Sequence, residues 1–114
     1  LLAQRFATVL AIDLSLAMLR LAPSGTAYRI QADAAALPVR DSSSAAVVLI
    51  NAFLFPAEVD RILARDGALI WVNSSGEQTP IFLSAEDLLS ALPGTWMGTA
   101  SRAGEGTWCV LRRV

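Results

Sequence analysis

Thr8–Leu19, TVLAIDLSLAML, is an apolar run that ends on a carboxylate and then changes period. Thr8–Ile12 has strand length and is rich in β-formers, and Asp13 bounds it. Ser15 is placed to cap a following helix that carries Leu16, Leu19 and Arg20, and Pro23 and Gly25 stop it. A second stretch, AYRIQAD at Ala27–Asp33, also closes on an aspartate, with Ala27–Gln31 as its strand. A carboxylate at the carboxyl end of a buried parallel strand is costly to desolvate unless something pairs with it. In open α/β sheets that end of the strands is where ligands sit. Two such carboxylates on consecutive strands predict a pocket with two separate acceptors. A nucleoside-like ligand, with a ribose diol and an exocyclic amine, suits it.

Working outward, Leu1–Phe6 reads as the last turns of a helix. Asp33–Ser44 reads as loop, with Pro38 and a serine cluster, and Asp41 belongs to its solvated part. Ala45–Ile50, AAVVLI, is a continuous apolar run that suits the middle of a parallel sheet. Pro56 fits the first turn of a helix over Ala57–Arg65, whose apolar stripe is Val59, Ile62 and Leu63. Gly67 is placed to end that helix in a left-handed cap. Ala68–Val72 is a fourth strand, and Asn73–Pro80 is a polar loop. Ser84 with Asp87 resembles a capping box before a helix over Ala85–Leu92, which Pro93–Gly94 stops. The rest reads as two strands joined by the turn Ala103–Gly106. Alternating strands and helices predict an α/β fold: a mostly parallel sheet with helices on both faces. The terminal hairpin is expected to add an antiparallel strand at one edge.

The 114 residues suffice for a single domain, 1–114. Hydrophobic content is 54%, above the usual range for soluble domains, and marks a core-rich chain. No apolar run approaches the roughly 18–20 residues that cross a bilayer, and no secretory signal is visible. No membrane partner is expected. A net charge of −1 gives no electrostatic footprint for nucleic acid. All 9 basic residues are arginine, and histidine is absent. That excludes a histidine base, a lysine Schiff base and a histidine-ligated metal, so no metal site is expected. The single cysteine, Cys109, makes no intrachain disulfide and reads as a buried thiol, in keeping with a reducing cytoplasm.

Four stretches resemble class I S-adenosylmethionine-dependent methyltransferases of the Rossmann-like, small-molecule type. VLAIDLSLAML at Val9–Leu19 is similar to their second-strand motif, in which an acidic residue ends the strand and D-x-S-x-x-M-L opens the helix. Here these are Asp13, Ser15, Met18 and Leu19. QADAAALPVRDSSSAAVVLIN at Gln31–Asn51 resembles the D-A-x-x-L-P motif that follows, and LARDGALIWVNSSG at Leu63–Gly76 resembles the fifth-strand region. Trp108–Arg113 is similar to the seventh strand. The resemblance implies that Asp13 accepts from both ribose hydroxyls of S-adenosyl-L-methionine, and that Asp33 accepts from the adenine amine. It implies that the Ala34 N–H donates to the ring, with Leu37 against one adenine face and Leu14 against the other. Asn51 and Ala52 would line the methionine end.

The pattern departs from that family in four places. The opening strand and its glycine-rich loop are missing, so the expectation is a truncated domain whose second and fourth strands lack the neighbour between them. Ser44–Ala46 replaces the usual F-D-x, and Arg65-Asp66-Gly67 replaces K-P-G-G. The stretch Asn51–Pro56 is short. The implied activity is methyl transfer to a small-molecule acceptor, with no catalytic residue named. Glu77, in the loop after the fourth strand, is a candidate base or substrate contact. Two other readings stay open: a catalytically inactive scaffold, with a homodimer covering the exposed sheet, and an NAD-dependent oxidoreductase domain. Read without a ligand, Asp13 is a helix-opening residue and Asp33 a turn former. Trp71, Trp96 and Trp108 read as packing.

Overall fold

The computed structural model describes residues 8–13, 18, 20 and 28–114. The expected helices at Leu1–Phe6 and after Ser15, with Leu14, lie outside them apart from Met18 and Arg20. The elements are β1 (Leu10–Asp13), β2 (Tyr28–Gln31), β3 (Ser44–Ile50), α1 (Pro56–Ile62), β4 (Leu63–Asn73), a 3₁₀ turn (Gly76–Gln78), α2 (Ala85–Ala91), β5 (Trp96–Ala103) and β6 (Gly106–Arg113). The chain divides into two compact units, Leu1–Pro38 and Val39–Val114.

In the first unit β1 and β2 pair in parallel, with Leu10 opposite Tyr28 and Asp13 opposite Gln31. The ladder runs one bond further, from the Ala32 N–H to the Asp13 carbonyl at 3.0 Å. The second unit holds a four-stranded sheet in the order β3-β4-β6-β5. β3 and β4 are parallel, as their continuous apolar sequences predict, and β6 is antiparallel to both β4 and β5. The alternation of β4 sends Leu69, Trp71 and Asn73 to one face. Cys109 and Leu111 of β6 join them in register. α1 brings Val59 to that face and α2 brings Leu88, closing a core with Leu63, Leu92 and Trp96.

Two expectations are corrected. The helix over Ala57–Arg65 ends at Ile62, because the carbonyls that would continue it are taken from elsewhere. The Ser42 N–H binds the Arg61 carbonyl at 2.8 Å and the Ser43 N–H binds that of Ile62 at 2.9 Å. Arg113 donates to the carbonyls of Asp60 at 2.6 Å and Ala64 at 2.8 Å. These contacts satisfy the orphan end of the helix, and the chain turns straight into β4.

Gly67 is therefore not a helix cap. It lies buried inside β4, at the register shift between Ser44 and Ala46. A Cβ there would stand 2.7 Å from Leu63 Cδ1, so glycine is needed for close approach rather than for a left-handed turn.

The terminal hairpin adds its antiparallel strand at one edge, as expected. Its last strand, β6, lies inside the sheet, and β5 forms the edge. The sequences explain the choice: β6 carries Trp108, Cys109, Val110 and Leu111, whereas β5 carries Thr99, Ser101 and Arg102 and is exposed beyond Trp96. Polar edge strands resist unwanted pairing. The hairpin turn itself falls where expected, with Ala103 opposite Gly106 and Gly104 at φ +60°, as a two-residue loop with glycine first requires. Among the described residues no helix is long and apolar enough to cross a membrane.

Candidate functional site

β1 ends on Asp13, which is half-buried. β2 ends at Gln31, opposite Asp13, and Asp33 follows two residues later. Side chains on a strand alternate with a period of two. Gln31 therefore shares a face with Asp13, and the bond from Ala32 to Asp13 carries the ladder towards Asp33. Both carboxylates thus leave the carboxyl edge of one parallel pair. Asp33 closes a turn of its own: its Oδ1 accepts from the Ala35 N–H at 2.9 Å, and its carbonyl accepts from the Ala36 N–H at 3.0 Å. This is the side-chain turn that aspartate favours. A carboxylate has about four acceptor sites, and the turn uses one of them. Ala34 and Leu37 are half-buried within the same turn. Leu14 lies outside the described residues.

In the second unit, Asn51 follows β3 directly and takes a left-handed backbone, φ 49°. Its N–H continues the ladder to the Val72 carbonyl at 2.9 Å. Its amide is engaged by Ser74, the first residue after β4. The ends of β3 and β4 are thereby tied together. Ala52 is half-buried and Phe53 is 67% exposed.

Glu77 stands 3.7 Å from Arg102, and both side chains are more than half exposed, an arrangement that makes a solvated ion pair and not a shielded base. Asp41 is likewise exposed and pairs with Arg61 at 2.8 Å. Arg61 also binds Glu58, and the two carboxylates raise the pKa of its guanidinium. Among the described residues no cluster of acids, cysteine or histidine could hold a metal ion. Burial pushes the Cys109 thiol up from its ordinary value, so it stays protonated at neutral pH.

Sequence reading missed two groups. Trp71 Nε1 and Asn73 Oδ1 are buried and have no hydrogen-bond partner among the described residues. The sequence places Asn73 at the start of a loop, whereas it is the last residue of β4 and is only 2% exposed. A polar residue closing the apolar run ALIWVN was the available signal.

Comparison with known proteins bears on these features. A family profile described as a methyltransferase domain matches residues 1–71. No curated protein matches the chain. A protein from Sulfolobus solfataricus assigned to the type 11 methyltransferases has a similar structure, with a TM-score of 0.78 at 18% identity, over 98% of this chain and 74% of that one. A SAM-dependent methyltransferase from Methanosarcina mazei gives a TM-score of 0.57 at 16% identity, over 94% of this chain and 82% of that one. At these identities the likeness is one of fold: mixed α/β, rich in parallel strands, and Rossmann-like.

Proposed function

This chain belongs to the methyltransferase domain family, and on that premise we propose that it takes a methyl group from S-adenosyl-L-methionine and passes it to a small-molecule acceptor. The observation that carries the reading is the pair Asp13 and Asp33 at the carboxyl edge of β1 and β2. The chemistry of the donor set fits an adenosyl group. A half-buried carboxylate at Asp13 can accept from both hydroxyls of a ribose diol, and charge-assisted bonds of that kind are the stronger ones. Asp33 keeps acceptor capacity beyond its own turn for an exocyclic amine. Ala34 and Leu37, in that turn, would supply a backbone donor and an apolar face.

When bound, the cofactor would supply a sulfonium methyl whose carbon the acceptor's lone pair attacks, the C–S bond breaking with its electron pair left on sulfur. What this chain contributes is binding and alignment. A positioned nucleophile gains much of the barrier reduction without a dedicated base. That suits a chain with no histidine and with its loop acid, Glu77, in a solvated pair. Asn51 and Ala52 are proposed to border the methionine end, with the Asn51 side chain tied to Ser74. A small-molecule acceptor accords with a net charge of −1, and a cytoplasmic setting accords with the lone buried thiol of Cys109.

Thermal unfolding tests the reading. A ligand that binds only the folded state stabilises it by an amount set by its concentration over Kd. S-adenosylmethionine and S-adenosylhomocysteine should raise Tm in a saturable way, and NADH should not. A rise with NADH alone would transfer the reading to the oxidoreductase alternative.

A further inference from the structure

The second unit contains a cavity of about 340 Å³ at the carboxyl end of β4, between the start of α2 and the hairpin of β5 and β6. Asn73 ends β4, Ser84 caps α2, Thr107 stands near the start of β6, and all three line it. The volume is at the small end of ligand sites, room for one ring with a short chain. None of the residues assigned to the cofactor lines it.

Much of the wall is apolar: Phe82, Ala85 and Ala100 contribute to it, with Cys109 opposite Ala100 in the ladder. Two charges stand on it, Glu86 and Arg102, and both residues are exposed. They are not equivalent. Arg102 lies 3.7 Å from Glu77, whose carboxylate balances its charge. Glu86 has no ion pair and no side-chain hydrogen bond among the described residues. The helix start does not employ it either, because Ser84 and Asp87 complete the capping box between themselves. Its charge is felt at the cavity floor: burial, the main cause, and Glu86 together push the Cys109 thiol up. The cavity is therefore an apolar hollow with one uncompensated negative charge on its wall.

We propose that this cavity binds a small organic cation, an apolar ring on a short chain ending in ammonium, whose N–H groups donate to the Glu86 carboxylate while the ring fills the hollow. An ammonium offers three donors and no acceptor, the complement of an ionised carboxylate, which only accepts. An anion is disfavoured, since Glu86 repels it and Arg102 is already balanced. Glu86 and Ala100 are both open to solvent, so the ligand enters without a shift of the wall.

The test is an NMR titration of the ¹⁵N-labelled chain with 2-phenylethylamine, which is protonated at neutral pH. Saturable shifts of the Glu86, Ala100 and Cys109 amide signals are expected, with Asp66 and Val114 unmoved. 2-Phenylethanol keeps the ring without the charge and should bind about fivefold more weakly, the effect of a solvated ion pair at the strong end of its range. 3-Phenylpropionate, of opposite charge, should bind more weakly still. Glu86→Gln should abolish the preference for the amine over the alcohol, and Ala100→Leu, which fills the hollow, should weaken both. Absence of saturable shifts, equal binding of amine and alcohol, tighter binding of the propionate, or a preference that survives Glu86→Gln overturns the proposal. Should a variant fail to fold, the three compounds on the unaltered chain decide alone. No methyl donor takes part, so the outcome is independent of the methyl-transfer reading.

Discussion

Asn51 and Ser74 exchange two hydrogen bonds across 23 residues of sequence: Asn51 Nδ2 donates to Ser74 Oγ at 2.6 Å, and the Ser74 N–H donates to Asn51 Oδ1 at 2.9 Å. The pair fastens the exits of two parallel strands at the edge where ligands of such sheets bind. Asn51 does this with φ at 49°, a backbone that asparagine tolerates better than most residues.

Asn51→Ala loses both bonds and places alanine in a left-handed backbone, which should cost about 1–3 kcal/mol. Asn51→Gly loses the same bonds without the strain and should cost less. Urea unfolding of the two variants measures the difference. Equal losses would show that the backbone conformation carries no energy there.

Arg113 is a second fastening. It meets the Asp60 carboxylate at 2.9 Å, donates to the Asp60 and Ala64 carbonyls, and stacks 4.9 Å over Trp96. Arg113→Met should destabilise the second unit by about 2 kcal/mol, because hydrogen bonds from a charged donor are lost while the aliphatic stem is kept. Arg113→Lys should recover only part, since an ammonium cannot span those acceptors as the planar fork does. Chemical denaturation followed by tryptophan fluorescence reads both.

The start of α2 is a complete capping box: the Asp87 N–H donates to Ser84 Oγ at 3.1 Å, and the Ser84 N–H donates to Asp87 Oδ2 at 3.0 Å. Ser84→Ala should cost about 1 kcal/mol. The bonds from Ser84 lower the Asp87 pKa below its ordinary 3.8. A carboxylate depressed in the folded state stabilises it above its unfolded pKa and loses that effect as pH falls through the folded value. The Asp87 contribution is therefore full above pH 3.8 and fades in more acidic solution. Asp87→Asn should flatten that part of the stability profile.

Cys109 is buried and its thiol is held protonated by desolvation. Alkylation by iodoacetamide should be slow in the native chain and fast in guanidinium chloride. Rapid native labelling at neutral pH would contradict the packing of β6 against β4.

Local signals were legible in the sequence. The capping box at Ser84 and Asp87, the turn at Gly104 and the apolar run of β3 each depend on neighbours within a few residues, and each falls where its pattern places it. The end of α1 was not legible, because the groups that stop it, Ser42, Ser43 and Arg113, come from other parts of the chain. Nor was the order of β5 and β6, which follows from which strand can bury both faces. At the candidate site, Asp13 ends β1 where its apolar run places it, whereas Asp33 lies two residues beyond β2 in a turn of its own. The unmet groups of Trp71 and Asn73 were not legible, since the sequence does not show which buried polar atoms lack a partner.

The claim on which the functional reading stands is that Asp13 and Asp33 hold the ribose and the adenine of one adenosyl ligand. Isothermal titration with S-adenosylhomocysteine measures it on the unaltered chain and on Asp13→Ala and Asp33→Ala. Loss of a charge-assisted hydrogen bond should weaken binding by roughly tenfold or more in each variant, with the larger loss at Asp13, which is proposed to accept twice. Binding of unchanged affinity in both variants would contradict the account.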